Sequence, residues 1–239
     1  YEMQRSLVGS EMCIRDRAQT TGLPLSQMKN MGSNSELSPD SGTTSGSRQT
    51  LITGEAVRMA AVDLKKDLDE AGGDLSKLEG KEYFAEFFDP TDKLGADVPF
   101  PKSHVAYGFA AHVVVLDDEG KVKEVYAAHD SGRVVNPTSI QGQIEGGVLM
   151  GMGYALTETF PLEDCVPTAR YGTLGLLHST QIPDIHAIYV EKDELLPFAY
   201  GSKGIGEISA IPTAPAVQGA YYFRDGKFRT SLPLEDTYY

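Results

Sequence analysis

The sequence predicts an α+β fold, with mixed sheets set against packed helices. Three observations carry this. One β-hairpin pattern is sharp, with β-rich runs at Val105–Val115 and Val122–Ala128 around Asp117-Asp118-Glu119-Gly120. Two stretches of helical length, one amphipathic and one glycine-faced, start near Thr53 and Thr138. Strands and helices interleave without the regular alternation of a parallel α/β sheet, and no tandem repeat is present.

The elements follow in order. Tyr1–Arg17 has no clear hydrophobic periodicity, so residues 1–17 read as a non-native or artefactual stretch and the domain is expected to open at Ala18. Ser33–Thr50 is dense in Ser, Gly, Thr, Asn, Asp and Pro and reads as a loop. Thr53–Ala71 places Val57, Ala60, Ala61, Leu64 and Leu68 among charges, an amphipathic helix ended by Gly72-Gly73. Lys81–Phe88 alternates enough to predict a strand, and Asp89–Pro101 a loop. After the hairpin, His129–Pro137 is a turn-rich link in which His129, Asp130 and Arg133 read as structural. Thr138–Thr157 is a helix walled by Gly142, Gly146, Gly147, Gly151 and Gly153. Each glycine costs about 1 kcal/mol of helix propensity against alanine, which makes sense where a backbone or a ligand must come close. Pro161–Pro197 is irregular apart from a short strand near Ile185–Glu191. Gly201–Gly206 is a glycine loop, and Ser209 and Pro212 signal a helix to about Tyr222. Asp225-Gly226 then turns into a last strand, Lys227–Leu232.

Composition narrows the function classes. The chain has 239 residues, 41% hydrophobic and 23% charged, with a formal net charge of -13. Such acidity disfavours nucleic acid, whose binding depends on neutralising phosphates with Lys and Arg. No apolar run approaches the roughly 18 residues of a membrane span, so no membrane association is expected. With Cys13 and Cys165 the only cysteines, neither a disulfide framework nor a cysteine-held cluster is available. The five histidines show no metal-ligand spacing, so a metal would have to arrive with most of its own ligands. Few cysteines and no cleavable signal pattern point to the cytoplasm.

Three polar, glycine-bearing segments could carry chemistry. Pro39–Thr50 offers backbone N–H groups, hydroxyls and a guanidinium just ahead of a helix, an arrangement that suits an anion, although it also fits a solvated loop with an N-cap. Gln141-Gly-Gln-Ile-Glu-Gly-Gly147 puts amide side chains on a glycine-faced helix. Amides can read a heterocycle through paired donors and acceptors, and close helix packing is the plainer account. Gly201-Ser-Lys-Gly-Ile-Gly-Glu207 lets backbone approach a bulky ligand. Glu207 lies just upstream of a helix start, where the dipole would hold a base ionised, though a carboxylate there is as readily structural.

In this order and at this separation, the three segments resemble the second molybdopterin-binding region of the xanthine dehydrogenase/aldehyde oxidase family, the C-terminal portion of its large catalytic subunit. The resemblance runs from Ala18 to the C-terminus and implies one molybdopterin-binding domain over residues 18–239. It implies that Thr44, Gly46, Ser47 and Gln49 contact the pterin and diphosphate, that Gln143 hydrogen-bonds the cofactor near the metal, and that Ser202, Lys203 and Gly206 lie on it, with Glu207 as catalytic base. No side chain of the chain is expected to ligate the metal. The implied cofactor is molybdenum-molybdopterin in its cytosine dinucleotide form. The family's iron–sulfur clusters and FAD would belong to other subunits or domains. The reaction implied is oxidative hydroxylation, with water as oxygen source, of a purine or other N-heterocycle (xanthine-like) or of an aldehyde. Implied partners are the remaining half of the molybdenum subunit, iron–sulfur and FAD subunits, and a small-molecule substrate. Two other readings stay open: a non-catalytic anion- or nucleotide-binding module, and a degenerate scaffold fragment of a larger complex.

Overall fold

The computed structural model describes residues 10–29, 44–191 and 196–239. The residues of the Pro39–Thr50 motif before Thr44 therefore lie outside the described residues, as do residues 1–9. The chain divides into two compact units. The first comprises Tyr1–Tyr107, Ser131–Asn136 and Glu191–Gly204; the second comprises Gly108–Asp130, Pro137–Val190 and Ile205–Tyr239.

The first unit is built on α1 (Ser10–Thr21) and α2 (Gln49–Glu70). Helix α1 spans residue 17, and Asp16 and Arg17 are buried. Helix α2 starts four residues ahead of its predicted beginning, because Leu51 is buried one turn before Glu55 and extends the inward face. Further along that face, Leu64 and Leu68 pack with Leu78. The predicted glycine exit forms: Gly72 and Gly73 take φ 72° and 84°, and the Gly73 N–H donates to the Leu68 carbonyl at 2.8 Å. The strand expected at Lys81–Phe88 does not form; the segment runs without a ladder, and Phe84 and Phe88 are exposed. Alternation alone makes no strand when no neighbouring strand supplies hydrogen bonds.

In the second unit the predicted hairpin is β1 (Ala110–Leu116) paired antiparallel with β2 (Val122–Asp130). Its turn is held by Asp117 Oδ1, which accepts from the N–H of Glu119 at 3.0 Å and of Lys121 at 2.8 Å. Helix α3 (Pro137–Leu156) follows, then a two-residue ladder of β3 (Leu162–Glu163) and β4 (Val166–Pro167). β5 (Asp184–Val190) pairs parallel with β2, giving the order β1-β2-β5. The sheet is thus mixed, with α3 inside the β2-to-β5 crossover. Helix α4 (Thr213–Asp225) closes the unit.

One sheet face, through Val114, Val125 and Ala127, packs in a core with Ile144, Val148 and Met152 of α3 and Val217 and Tyr221 of α4. The last strand expected, Lys227–Leu232, is absent. The buried Arg229 takes the carbonyls of Lys227, Glu235 and Asp236 and pairs with Asp225 at 2.6 Å, so carbonyls that a ladder would use are bound to a side chain. Among the described residues no helix is long and apolar enough to cross a membrane.

Candidate functional site

Two of the three glycine-bearing segments meet in the first unit. Thr44–Gln49 forms a turn leading into α2, with Gly46 at φ 62° and Ser47 at φ 51°. The Thr44 hydroxyl donates to Gln49 Oε1 at 3.0 Å, and Thr44 and Gly46 are exposed. The turn thus sits at the start of a 22-residue helix, where the macrodipole favours an anion. Against it lies Gly204, whose Cβ, if it had one, would stand 1.9 Å from the Ser47 carbonyl oxygen. Only a residue without a side chain permits that approach.

The two polar side chains ahead of Gly204 are engaged within the unit. Ser202 is buried and its hydroxyl donates to the Ala199 carbonyl at 2.5 Å. Lys203 is 8% exposed and its ammonium donates to the Tyr107 carbonyl at 2.9 Å.

The second unit joins the other parts. Helix α3 carries Gln143 on its exposed face. Its glycine wall has two functions, which sequence alone did not separate. Gly147 and Gly151 face the Ser209–Thr213 segment: an added Cβ would lie 2.0 Å from Ser209 Oγ at the first and 2.6 Å from Thr213 Cβ at the second. Gly142 and Gly146 have nothing within 4 Å of that position and leave bare backbone beside Gln143. The segment seated on Gly147 and Gly151 is the one that carries Gly206 and Glu207. The Gly206 carbonyl accepts from Ser209 Oγ at 2.8 Å, and the Glu207 carbonyl accepts from the Ala210 N–H at 3.1 Å.

Glu207 is exposed in this turn, six residues before α4 begins at Thr213. The expectation that a helix dipole holds it ionised is corrected here, because that effect fades within the first turn.

A feature passed over in the sequence supports the same turn. His129, at the end of β2, is fully buried, and its Nε2 lies 3.2 Å from Nε2 of His112 on β1. His112 Nδ1 lies 3.0 Å from Thr213 Oγ1, and the His129 ring is hydrogen-bonded to the backbone of Ala127 and of Ile208, the neighbour of Glu207. Burial, and secondarily the facing His129, push His112 down to about 4; burial lowers His129 as well. Burial therefore favours the neutral form of both rings, and of the facing nitrogens one donates while the other accepts. The signal was the register of two strands (His112 and His129 lie two positions apart across the ladder, on one face), which spacing in sequence conceals. Among the described residues no group of three or more His, Cys, Asp and Glu side chains could hold a metal ion.

The chain belongs to the molybdopterin cofactor-binding domain family, whose model matches residues 13–83 and 74–183. It is 33% identical over 146 residues to a probable xanthine dehydrogenase subunit of Bacillus subtilis, covering 57% of this chain and 19% of that protein. It is 25% identical over 252 residues to the xanthine dehydrogenase molybdenum-binding subunit of Escherichia coli O157:H7, covering 91% of this chain and 33% of the relative. Among solved structures it resembles the aldehyde oxidoreductase of Desulfovibrio gigas with a TM-score of 0.74 and 25% identity, over 88% of this chain and 25% of that one. The chain thus spans a third or less of the length of these relatives.

The residues present fit such a cofactor. In the second unit the open backbone at Gly142 and Gly146 beside Gln143 leaves room for a flat ligand, and in the first unit the start of α2 has the dipole that favours an anion.

Proposed function

We propose that this chain is the cofactor-contacting part of a molybdenum hydroxylase that oxidatively hydroxylates a small electron-poor carbon substrate with water as oxygen source. One observation carries the reading: within the first unit Gly204 lies against Ser47, so the loop ahead of Glu207 meets the Thr44–Gln49 turn.

When bound, the molybdenum cofactor supplies the two-electron redox chemistry. The chain's own residues hold, orient and move a proton. Thr44, Gly46, Ser47 and Gln49 bind the pterin and diphosphate through backbone N–H and side-chain groups. Gln143 orients the ligand by its amide, beside the open backbone of Gly142 and Gly146. Ser202 and Lys203 shape the loop that lies on the cofactor, since their side chains and N–H groups are engaged within the unit. Gly206 keeps the approach free of a side chain. Glu207 accepts, at its carboxylate, the proton of the water-derived nucleophile as it attacks the substrate carbon.

The substrate is a purine or related N-heterocycle in the first instance, with an aldehyde as the second class; relatives named for xanthine and for aldehydes support the pair. The cofactor is the cytosine dinucleotide form. Relatives named as subunits support a multi-part assembly, in which the rest of the molybdenum subunit and the iron–sulfur and FAD carriers complete the enzyme in the cytoplasm. Molybdenum and pterin analysis of the purified full-length protein tests this. The expected result is one molybdenum-bound pterin per chain; a bound nucleotide without molybdenum would overturn it in favour of a nucleotide-binding module.

A further inference from the structure

The chain enters the Gly201–Glu207 segment through an unusual turn. Ala199, Tyr200 and Gly201 take φ 48°, 52° and 78° in succession. Glycine adopts this region freely, but two L side chains in a row do not, and they persist there only where the surroundings hold them.

The holding group is on α2. Glu55 is 4% exposed, and its Oε2 accepts the Ala199 N–H at 2.6 Å across 144 residues of sequence. The carboxylate is itself fixed by Arg58, through Nε at 2.7 Å and NH2 at 2.6 Å. The guanidiniums of Arg58 and Arg133 lie 6.0 and 5.6 Å from the Tyr200 ring centre, which pins the middle residue of the turn. An Arg–Glu pair one helical turn apart needs neither burial nor a distant backbone partner, so a simple surface ion pair does not account for Glu55.

Downstream, the turn dictates where the loop goes. The Ala199 carbonyl accepts from both the N–H and the hydroxyl of Ser202, at 3.0 and 2.5 Å. The Gly201 carbonyl accepts from the Arg133 N–H at 3.2 Å, and the Lys203 N–H donates to the Ser131 carbonyl at 3.0 Å. Gly204 then meets Ser47. We infer that Glu55 is a positioning residue: by capping Ala199 N–H it holds the left-handed turn that sets Ser202, Lys203 and Gly204 against the Thr44–Gln49 loop. Its consequence for turnover rests on the function proposed above; its consequence for the turn does not.

The test is hydrogen exchange over residues 196–207 in the intact full-length enzyme, read beside kcat, KM and molybdenum content. Glu55→Ala is expected to speed exchange of the Ala199–Lys203 amides by about tenfold or more. It should lower kcat by about tenfold to a hundredfold with KM little moved, the size of effect a misplaced loop produces. Adding Ala199→Gly should restore both toward wild type, because glycine takes the turn without the carboxylate. Ala199→Val, which leaves Glu55 intact, should reproduce the Glu55→Ala phenotype and decides the matter if Glu55→Ala does not fold. Unchanged exchange in Glu55→Ala, failure of Ala199→Gly to restore it, or a silent Ala199→Val would overturn the inference. If the wild-type enzyme binds no molybdenum and turns nothing over, the functional reading fails, while the exchange measurements still decide the role of Glu55.

Discussion

Gly204 lies against the Ser47 carbonyl so closely that a Cβ would stand 1.9 Å from its oxygen and 2.7 Å from its carbon. Both obstacles are backbone, so no side chain can swing aside. Gly204→Ala should cost about 1–3 kcal/mol of stability by overpacking and reduce molybdenum retention, because the loop must move away from the Thr44–Gln49 turn. Thermal unfolding with metal analysis checks this; wild-type values in both would contradict the close approach.

The two kinds of glycine on α3 predict opposite behaviour. Gly146→Ala meets nothing within 4 Å, so it should raise stability by about 0.5–1 kcal/mol through helix propensity. It should also lower cofactor content, since the methyl occupies the open backbone beside Gln143. Gly147→Ala would place its Cβ 2.0 Å from Ser209 Oγ and should destabilise the fold by about 1–3 kcal/mol. Denaturant titration and molybdenum content of the two variants separate a ligand-facing glycine from a packing glycine. A stabilised Gly146→Ala variant with full cofactor would remove the ligand-facing role.

The facing histidines make stability depend on pH. His112 falls from an ordinary 6.5 to about 4 in the folded chain, and His129 falls too, so the unfolded chain binds more protons between those values. The contribution of the pair is present above about pH 6.5 and is lost as pH falls toward 4. Unfolding free energy should therefore rise from pH 5 to pH 7, more steeply in the wild type than in His112→Gln. Equal slopes in the two proteins would contradict the buried neutral pair.

Much of the fold was legible in the sequence, and the failures have physical causes. The hairpin followed from Asp117–Gly120 and its flanking alternation, and the α2 exit from Gly72-Gly73, because both are fixed by local backbone chemistry. Lys81–Phe88 and Lys227–Leu232 had acceptable strand patterns and formed none. Pairing is a non-local decision, and at Arg229 a side chain took the carbonyls. Residues 1–17 looked separable because Tyr1–Arg17 lacks periodicity, yet α1 covers Ser10–Thr21. At the candidate site, the three motifs were visible as glycine-bearing segments. That Gly147 packs while Gly146 is open depends on which neighbour each meets, and the Glu55–Ala199 contact joins positions that no local pattern links. Glu207 lies beyond the reach of the α4 dipole because the helix itself begins only at Thr213.

In the proposed enzyme Glu207 moves the proton in turnover while the rest of the chain binds the cofactor. Glu207→Gln in the full-length assembled enzyme keeps the size and exposure of the side chain and removes its basicity. Molybdenum and pterin content should be unchanged, with kcat reduced by about a hundredfold to ten-thousandfold, the range general-base catalysis supplies. An unaltered kcat in a fully loaded variant would contradict the role of Glu207.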